Sequence, residues 1–240
     1  MNKTIHYCWF GKNPKSKLIL KCIKSWKKYC PDYEIREWNE DNFDINCCDY
    51  VREAYESKKW AFVSDYCRFF VLYNYGGIYL DTDVELLKPI DSIASACVGF
   101  ESEKLLNSGL VRAAEKHDKI CELMLESYAK DHFMKQNGEL NLLTVCERET
   151  EILCKFGLKL NNQMQVVCGT TVYPTEYFQP TNMSTGRVHI TKNTVSIHHY
   201  AASWTSGYSR LRGKIYQIMC RIFGEGCAEK ARKILGRKNK

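Results

Sequence analysis

No apolar run in the chain approaches the roughly 18 to 20 residues that a membrane-spanning helix needs, so nothing in it reads as an integral helical anchor. No positively charged, apolar leader opens it either, because Met1-Asn2-Lys3-Thr4-Ile5-His6-Tyr7-Cys8-Trp9 already alternates like a strand. The expectation is a cytoplasmic protein. Its 13 cysteines are scattered, odd in number and without a single Cys-x-x-Cys spacing, which speaks against a zinc ribbon or a disulfide framework. Several, such as Cys22 and Cys67, fall within helical patterns where a free thiol packs as a small hydrophobe. The adjacent Cys47-Cys48 is the exception, and no role is assigned to it. Repeats and low-complexity linkers are absent. A net positive charge is also missing from most of the chain: residues 208–240 hold ten Lys or Arg against Glu225 and Glu229, so a net +7 for the whole leaves −1 for residues 1–207. A nucleic-acid-binding core would show a basic face interleaved with aromatics, so no nucleic-acid partner is expected.

What remains is ordinary globular material, 45% hydrophobic and 26% charged, long enough at 240 residues for one substantial core. The reading is one domain over residues 1–207 and a basic tail over 208–240. Thr4 to Phe10 predicts a first strand, Lys15 to Tyr29 a helix with Leu18, Cys22, Ile23 and Trp26 on one side, and Glu34 to Trp38 a second strand. Asp49 to Ser57 reads as helical. Trp60 to Tyr75 is helical and apolar nearly all round, which predicts burial against a sheet. Further on, Ala96 to Phe100 and Val195 to His199 read as strands, Lys119 to Ala129 and Gly138 to Cys154 as helical, and Thr171 to Phe178 as extended around Pro174. Alternating strands and helices give an α/β layer fold. In the tail, Leu211, Ile215, Ile218 and Ile222 follow helical spacing, with Arg210, Arg212, Lys214 and Arg221 elsewhere around the helix. Such a helix either docks on the domain or lies on an anionic membrane.

The densest chemistry stands at Tyr75-Gly76-Gly77-Ile78-Tyr79-Leu80-Asp81-Thr82-Asp83-Val84-Glu85. The glycine pair can end a helix and turn the chain, Ile78 to Leu80 can form a buried strand, and Asp81 and Asp83 emerge where it ends. Two hard oxygen ligands on one loop suit Mg²⁺ or Mn²⁺ bridging a diphosphate; an ordinary Asp-rich turn is the plain alternative. Asp65 and Arg68, at i and i+3 on the apolar helix, either pair with each other or point together at a polar ligand.

Ile5 to Leu87 resembles the DXD-containing sugar-binding glycosyltransferases of family 32. The resemblance rests on His6-Tyr7-Cys8-Trp9-Phe10-Gly11, Ser25-Trp26, Pro31-Asp32-Tyr33, Trp60-Ala61-Phe62-Val63-Ser64-Asp65-Tyr66-Cys67-Arg68 and Leu72-Tyr73-Asn74-Tyr75-Gly76-Gly77-Ile78-Tyr79-Leu80-Asp81-Thr82-Asp83, in that order. It implies a GT-A, Rossmann-like nucleotide-sugar transferase fold with a mostly parallel central sheet. It also implies a retaining, metal-dependent transfer of a hexose from a nucleotide-diphosphate sugar, a UDP-sugar in preference to GDP-mannose. The acceptor would be a glycan or lipid-linked glycan, such as a capsular polysaccharide or lipopolysaccharide precursor. By position, Asp83 would bind Mn²⁺ or Mg²⁺ and Asp81 the metal or ribose, with Asp65 and Arg68 approaching the donor sugar. Trp9 would stack on the base, Tyr79 would lie beside the nucleotide, and Asn107 near the sugar. Ile197-His198-His199-Tyr200-Ala201-Ala202-Ser203-Trp204 resembles the late turn that supplies a last metal ligand and covers the diphosphate, with His199 favoured over His198 as ligand and Ser203 and Trp204 on the diphosphate. The basic tail would hold the protein peripherally on the inner face of the plasma membrane.

Three other readings share these residues. A haloacid-dehalogenase-type phosphatase would use Asp81 as nucleophile, but it needs a downstream acidic cluster, and after Asp91 only Asp118 and Asp131 remain, in helical surroundings. A non-catalytic nucleotide-sugar binding module and a toxin-like protein glycosyltransferase fit the same donor constellation.

Overall fold

The computed structural model describes residues 2–107, 109–201, 207–224 and 226, with the backbone alone at 207–212 and 214. Strand β1 (Thr4–Cys8) leads to helix α1 (Lys17–Tyr29), whose Ser16 cap accepts from the Ile19 N–H, and β2 (Glu34–Trp38) returns parallel to β1. Helices α2 (Asp49–Glu56) and α3 (Trp60–Tyr75) follow. At the end of α3 the Gly76 N–H bonds the Leu72 carbonyl, and Gly76 and Gly77 take φ of 66° and 104°. A side chain at Gly77 would also meet the Thr4 carbonyl at 2.7 Å, so glycine is required for both conformation and space. The chain can then enter β3 (Gly77–Tyr79) directly beside β1, parallel to it.

Short strands β4 (Val84–Leu86), β5 (Cys97–Ser102), β6 (Leu105–Asn107) and β7 (Arg112–Ala114) precede helices α4 (Lys119–Ala129) and α5 (Val145–Lys155). Strands β8 (Gln165–Val167) and β9 (Thr170–Tyr173), the short helix α6 (Thr175–Phe178), strand β10 (Ser196–His198) and helix α7 (Gly207–Phe223) complete the described elements.

The main sheet has eight strands in the order β2-β1-β3-β7-β5-β9-β8, with β6 on β5. The ladders give β1, β2, β3, β5 and β9 one direction, with β6, β7 and β8 opposed, so the sheet is mixed, with five of its eight strands running one way. Alternate side chains feed two cores, as the pleat requires. Cys8, Tyr79, Val98 and Phe100 pack with α2, α3 and α4, whereas Ile5, Tyr7, Ile78 and Cys97 pack with Trp26 of α1 and Phe178 of α6. The fold is therefore α/β with helices on both faces.

Several boundaries differ from expectation. Helix α5 begins only at Val145, because a capping box between Thr144 and Glu147 starts it there. The preceding stretch folds back instead through a Met134–Leu140 bridge, with Gly138 at φ 81°. Pro174 ends β9 and caps α6 rather than sitting within one extended run. Seven of the described cysteines, including Cys22 and Cys67, are buried. Among the described residues no helix is long and apolar enough to cross a membrane.

Candidate active site

Strands β1 and β3 are parallel and end at the same sheet edge, where the chain loosens into the acidic turn. The Leu80 N–H still bonds the His6 carbonyl, the Asp81 N–H bonds the Gly109 carbonyl, and the Val84 N–H closes on the Asp81 carbonyl. Asp81 and Asp83 thus sit on a backbone-locked turn. Beyond it β4 pairs antiparallel with β10, bringing His198 opposite Val84. Single ligand atoms of Asp81, Asp83 and His198 all lie within 4.8 Å of one another.

His198 Nε2 stands 3.0 Å from Asp83 Oδ1, while Asp83 Oδ2 accepts from the Ala201 N–H at 2.7 Å. Burial alone would raise the Asp83 pKa, but His198 and these hydrogen bonds hold it below the usual carboxylate value. Burial works against the charged form of His198 too, and the two aspartates and Glu101 outweigh it, so its pKa is raised. Among the described residues His198 Nδ1, which is buried, has no hydrogen-bond partner. His199, the histidine expected as ligand, turns away: its Nε2 lies 2.8 Å from Glu85, which also pairs with Lys21 of α1. Neighbouring side chains on a strand face opposite ways, and the register of β10 gives His198 to the aspartates.

On α3, Arg68 Nη2 bonds Asp65 Oδ1 at 2.8 Å and lies 3.4 Å from Asp81 Oδ1. Desolvation would lower the Arg68 pKa, yet Asp81, Tyr79 and Asp65 raise it well above its ordinary value. Burial pushes Asp65 up to about 6 against the pull of Arg68. The Arg68 Nη1 group is buried and has no hydrogen-bond partner among the described residues. Beside it, a side chain on Gly109 would fall 1.9 Å from Asp81 Oδ2 and 3.0 Å from Arg68 Nη1. Only glycine lets that loop pass so close.

Tyr79, expected beside a nucleotide, is 1% exposed. Its hydroxyl donates to Asp81 Oδ1 at 3.0 Å and its ring lies under the Arg68 guanidinium, so it orients these two groups from behind. Trp9 follows β1 at the same sheet edge, half-buried, with its indole N–H on the Asn13 carbonyl and Lys15 over its ring. Asn107 is buried, accepts from the Gly109 N–H at 2.8 Å and donates to Glu101 at 3.1 Å. Ser203 and Trp204 lie outside the described residues. Gly109, Glu101 and Tyr200 were not singled out in the sequence; only Tyr200, next to the histidine pair, carried any signal there.

Residues 16–98 match the family model of the glycosyltransferase sugar-binding region containing DXD motif. That stretch is similar to the region and makes up about a third of the chain. Helix α3, the acidic turn and β4 all fall within it, while His198 comes from outside. A search of curated protein sequences returns no match. Solved structures also resemble the chain, two of them glycosyltransferases. One is the PaToxG glycosyltransferase, at 22% identity over 64% of this chain and 69% of that chain, with a TM-score of 0.47. The other is a glycosyltransferase involved in the glycosylation of the major capsid of PBCV-1, at 13% identity over 90% and 99%, with a TM-score of 0.44.

The donor set fits a divalent cation in chemical type. Two carboxylates are hard oxygen ligands, and His198 adds a nitrogen, which suits Mn²⁺ better than Mg²⁺. His198 already turns its Nε2 to Asp83, so a nitrogen and two carboxylates converge on one point.

Proposed function

We propose that the protein is a metal-dependent, retaining glycosyltransferase that moves a hexose from a nucleotide-diphosphate sugar to a surface glycan acceptor, such as a capsular polysaccharide or lipopolysaccharide precursor. The observation that carries this reading is the Asp81–Asp83–His198 group set beside the free Nη1 of Arg68. Asp81, Asp83 and His198 would hold Mn²⁺, which as a Lewis acid neutralises charge on a departing diphosphate. Arg68 holds a fixed positive charge at the same place, kept ionised by Asp65 and Asp81, and its Nη1 offers a donor to a phosphate or sugar oxygen. Tyr79 holds Asp81 in orientation. Trp9, at the same sheet edge, supplies an aromatic face for the base. A front-face route, in which the acceptor hydroxyl enters on the side the diphosphate leaves, requires no protein nucleophile and accounts for retention.

The donor is taken to be a UDP-sugar in preference to GDP-mannose. Thermal stabilisation by UDP and by GDP, each with and without Mn²⁺, tests the site and the base together. Stabilisation by one nucleotide only with Mn²⁺ is expected; no response to either would overturn the reading.

The reading extends to a cytoplasmic protein resting on an anionic membrane. Supporting it, α7 meets the domain through Gln217, Cys220 and Arg221, the last two of which are a buried thiol and a guanidinium on the Thr185 and Gly186 carbonyls. Ile215, Ile218 and Ile222, spaced along one side, are exposed instead. An apolar stripe left outward on a basic tail is the pattern of an interfacial helix. The side chains of Leu211, Arg210, Arg212 and Lys214 lie outside the described residues.

A further inference from the structure

We propose that Glu101 is the residue that grips a hydroxyl of the transferred sugar and so selects among donors. The inference rests on the site's being a nucleotide-sugar site. Glu101, at the end of β5, is joined to the metal-ligand group from two sides. On one side its Oε1 accepts from Asn107 Nδ2 at 3.1 Å, Asn107 Oδ1 accepts from the Gly109 N–H, and Gly109 lies against Asp81. On the other, the same Oε1 accepts from the Tyr200 hydroxyl at 3.0 Å, and the Tyr200 ring lies 4.1 Å from the ring of His198, which bonds Asp83. The chain Asp81, Gly109, Asn107, Glu101, Tyr200, His198 and Asp83 closes on itself around the acidic turn.

Three observations give the carboxylate its role. Two donors converge on Oε1, and among the described residues Oε2 has no hydrogen-bond partner and no cation pairs with the group. A carboxylate without a cation repels a diphosphate and accepts from hydroxyls, so its complement is the sugar end of the donor. Asn107, the expected sugar contact, has its carbonyl oxygen committed to Gly109 and an N–H committed to Glu101, so it positions the carboxylate. Finally, Tyr200 takes φ of 46°, a left-handed conformation uncommon outside glycine. Strain of this kind gathers at functional sites, and here it accompanies delivery of the hydroxyl to Glu101 and the ring to His198.

The test measures binding to the full chain by calorimetry with Mn²⁺, using UDP, UDP-glucose, UDP-galactose, GDP and GDP-mannose. Glu101→Gln keeps the shape and removes the charge. It is expected to bind the nucleoside diphosphate as the wild type does while losing about tenfold or more in affinity for the nucleotide-sugar. Tyr200→Phe, which removes one donor to Oε1, is expected to give a smaller loss in the same direction, and it carries the test alone if Glu101→Gln melts early. Unchanged nucleotide-sugar affinity in both variants overturns the proposal, as does an equal loss for sugar-bearing and sugar-free nucleotides, which would mark a merely structural role. Wild-type protein that binds none of these ligands with Mn²⁺ overturns the nucleotide-sugar reading itself, and this inference with it.

Discussion

Asp83 Oδ1 lies 3.0 Å from His198 Nε2, 115 positions further along the chain. The contact depends on the three-residue ladder of β4 with β10 and on the Asp83 carbonyl, which accepts from the His199 N–H. It joins the acidic turn to a distant strand and leaves the two imidazoles with different partners.

That difference gives a paired prediction. Asp83→Asn is expected to leave the fold intact while abolishing both transfer and Mn²⁺-dependent stabilisation by nucleotide. His198→Ala should weaken Mn²⁺ by about 10- to 100-fold, the range seen when a group supporting a metal is removed, and His199→Ala should weaken it far less. Equal Mn²⁺ affinities for the two histidine variants, measured by metal titration, would refute the assignment of His198.

Gly109 is predicted to tolerate no side chain. Gly109→Ala puts a methyl carbon 1.9 Å from Asp81 Oδ2, and a displacement near 1 Å at a reacting centre costs about 100-fold in rate. Transfer should fall by at least that factor while circular dichroism stays unchanged. Near-normal transfer would show that Asp81 is not held where its geometry matters.

Two buried groups are expected to titrate with opposite sign. Burial lowers His6 to about 4, and its neutral ring accepts from Trp38 Nε1 at Nδ1 and faces the Gly76 carbonyl through Nε2. Its contribution is complete above its ordinary pKa of 6.5 and is lost as pH falls towards 4. Asp65, raised to about 6, contributes most below its ordinary 3.8 and loses that as pH rises through 6. Denaturant midpoints at pH 4.5, 5.5 and 7 should show Asp65→Asn gaining on the wild type as pH rises. The deficit of His6→Gln should shrink as pH falls. A pH-independent difference for either variant would rule out that assignment.

The α7 stripe predicts a surface effect without a stability effect. Ile222 is 67% exposed, and exposed substitutions usually change stability by no more than about 0.5 kcal/mol. Ile222→Asp should therefore keep the melting temperature and reduce sedimentation with anionic liposomes, as should removal of residues 210–240. Undiminished liposome binding by both proteins would exclude the tail as an attachment.

Much of this architecture was legible where pattern and chemistry coincide. The spans Glu34–Trp38, Trp60–Tyr75 and Lys119–Ala129 agree with the structure because periodicity and capping act over adjacent residues. Asp65, Arg68, Asp81 and Asp83 were legible because charges on apolar elements stand out. The choice of histidine was not, since it depends on a strand register that no local pattern fixes. Tyr79 has the same character: its position before the aspartates was evident, but not that its ring faces inward. Glu101 gave no signal at all, for its neighbours Asn107 and Tyr200 reach it only through tertiary packing.

The pairing of β10 with β4 spans three residues, and a slip by one would invert every side chain on so short a ribbon. In most sequences that error would empty the position beside Asp83. Here the next residue is again a histidine, so a ribbon shifted by one would still present an imidazole to the aspartates. The doublet His198-His199 thus gives the ladder a tolerance to misalignment in one direction: a single-residue deletion before Ser196 meets a chain already equipped with a spare ligand, whereas an insertion would bring Ile197 to that place.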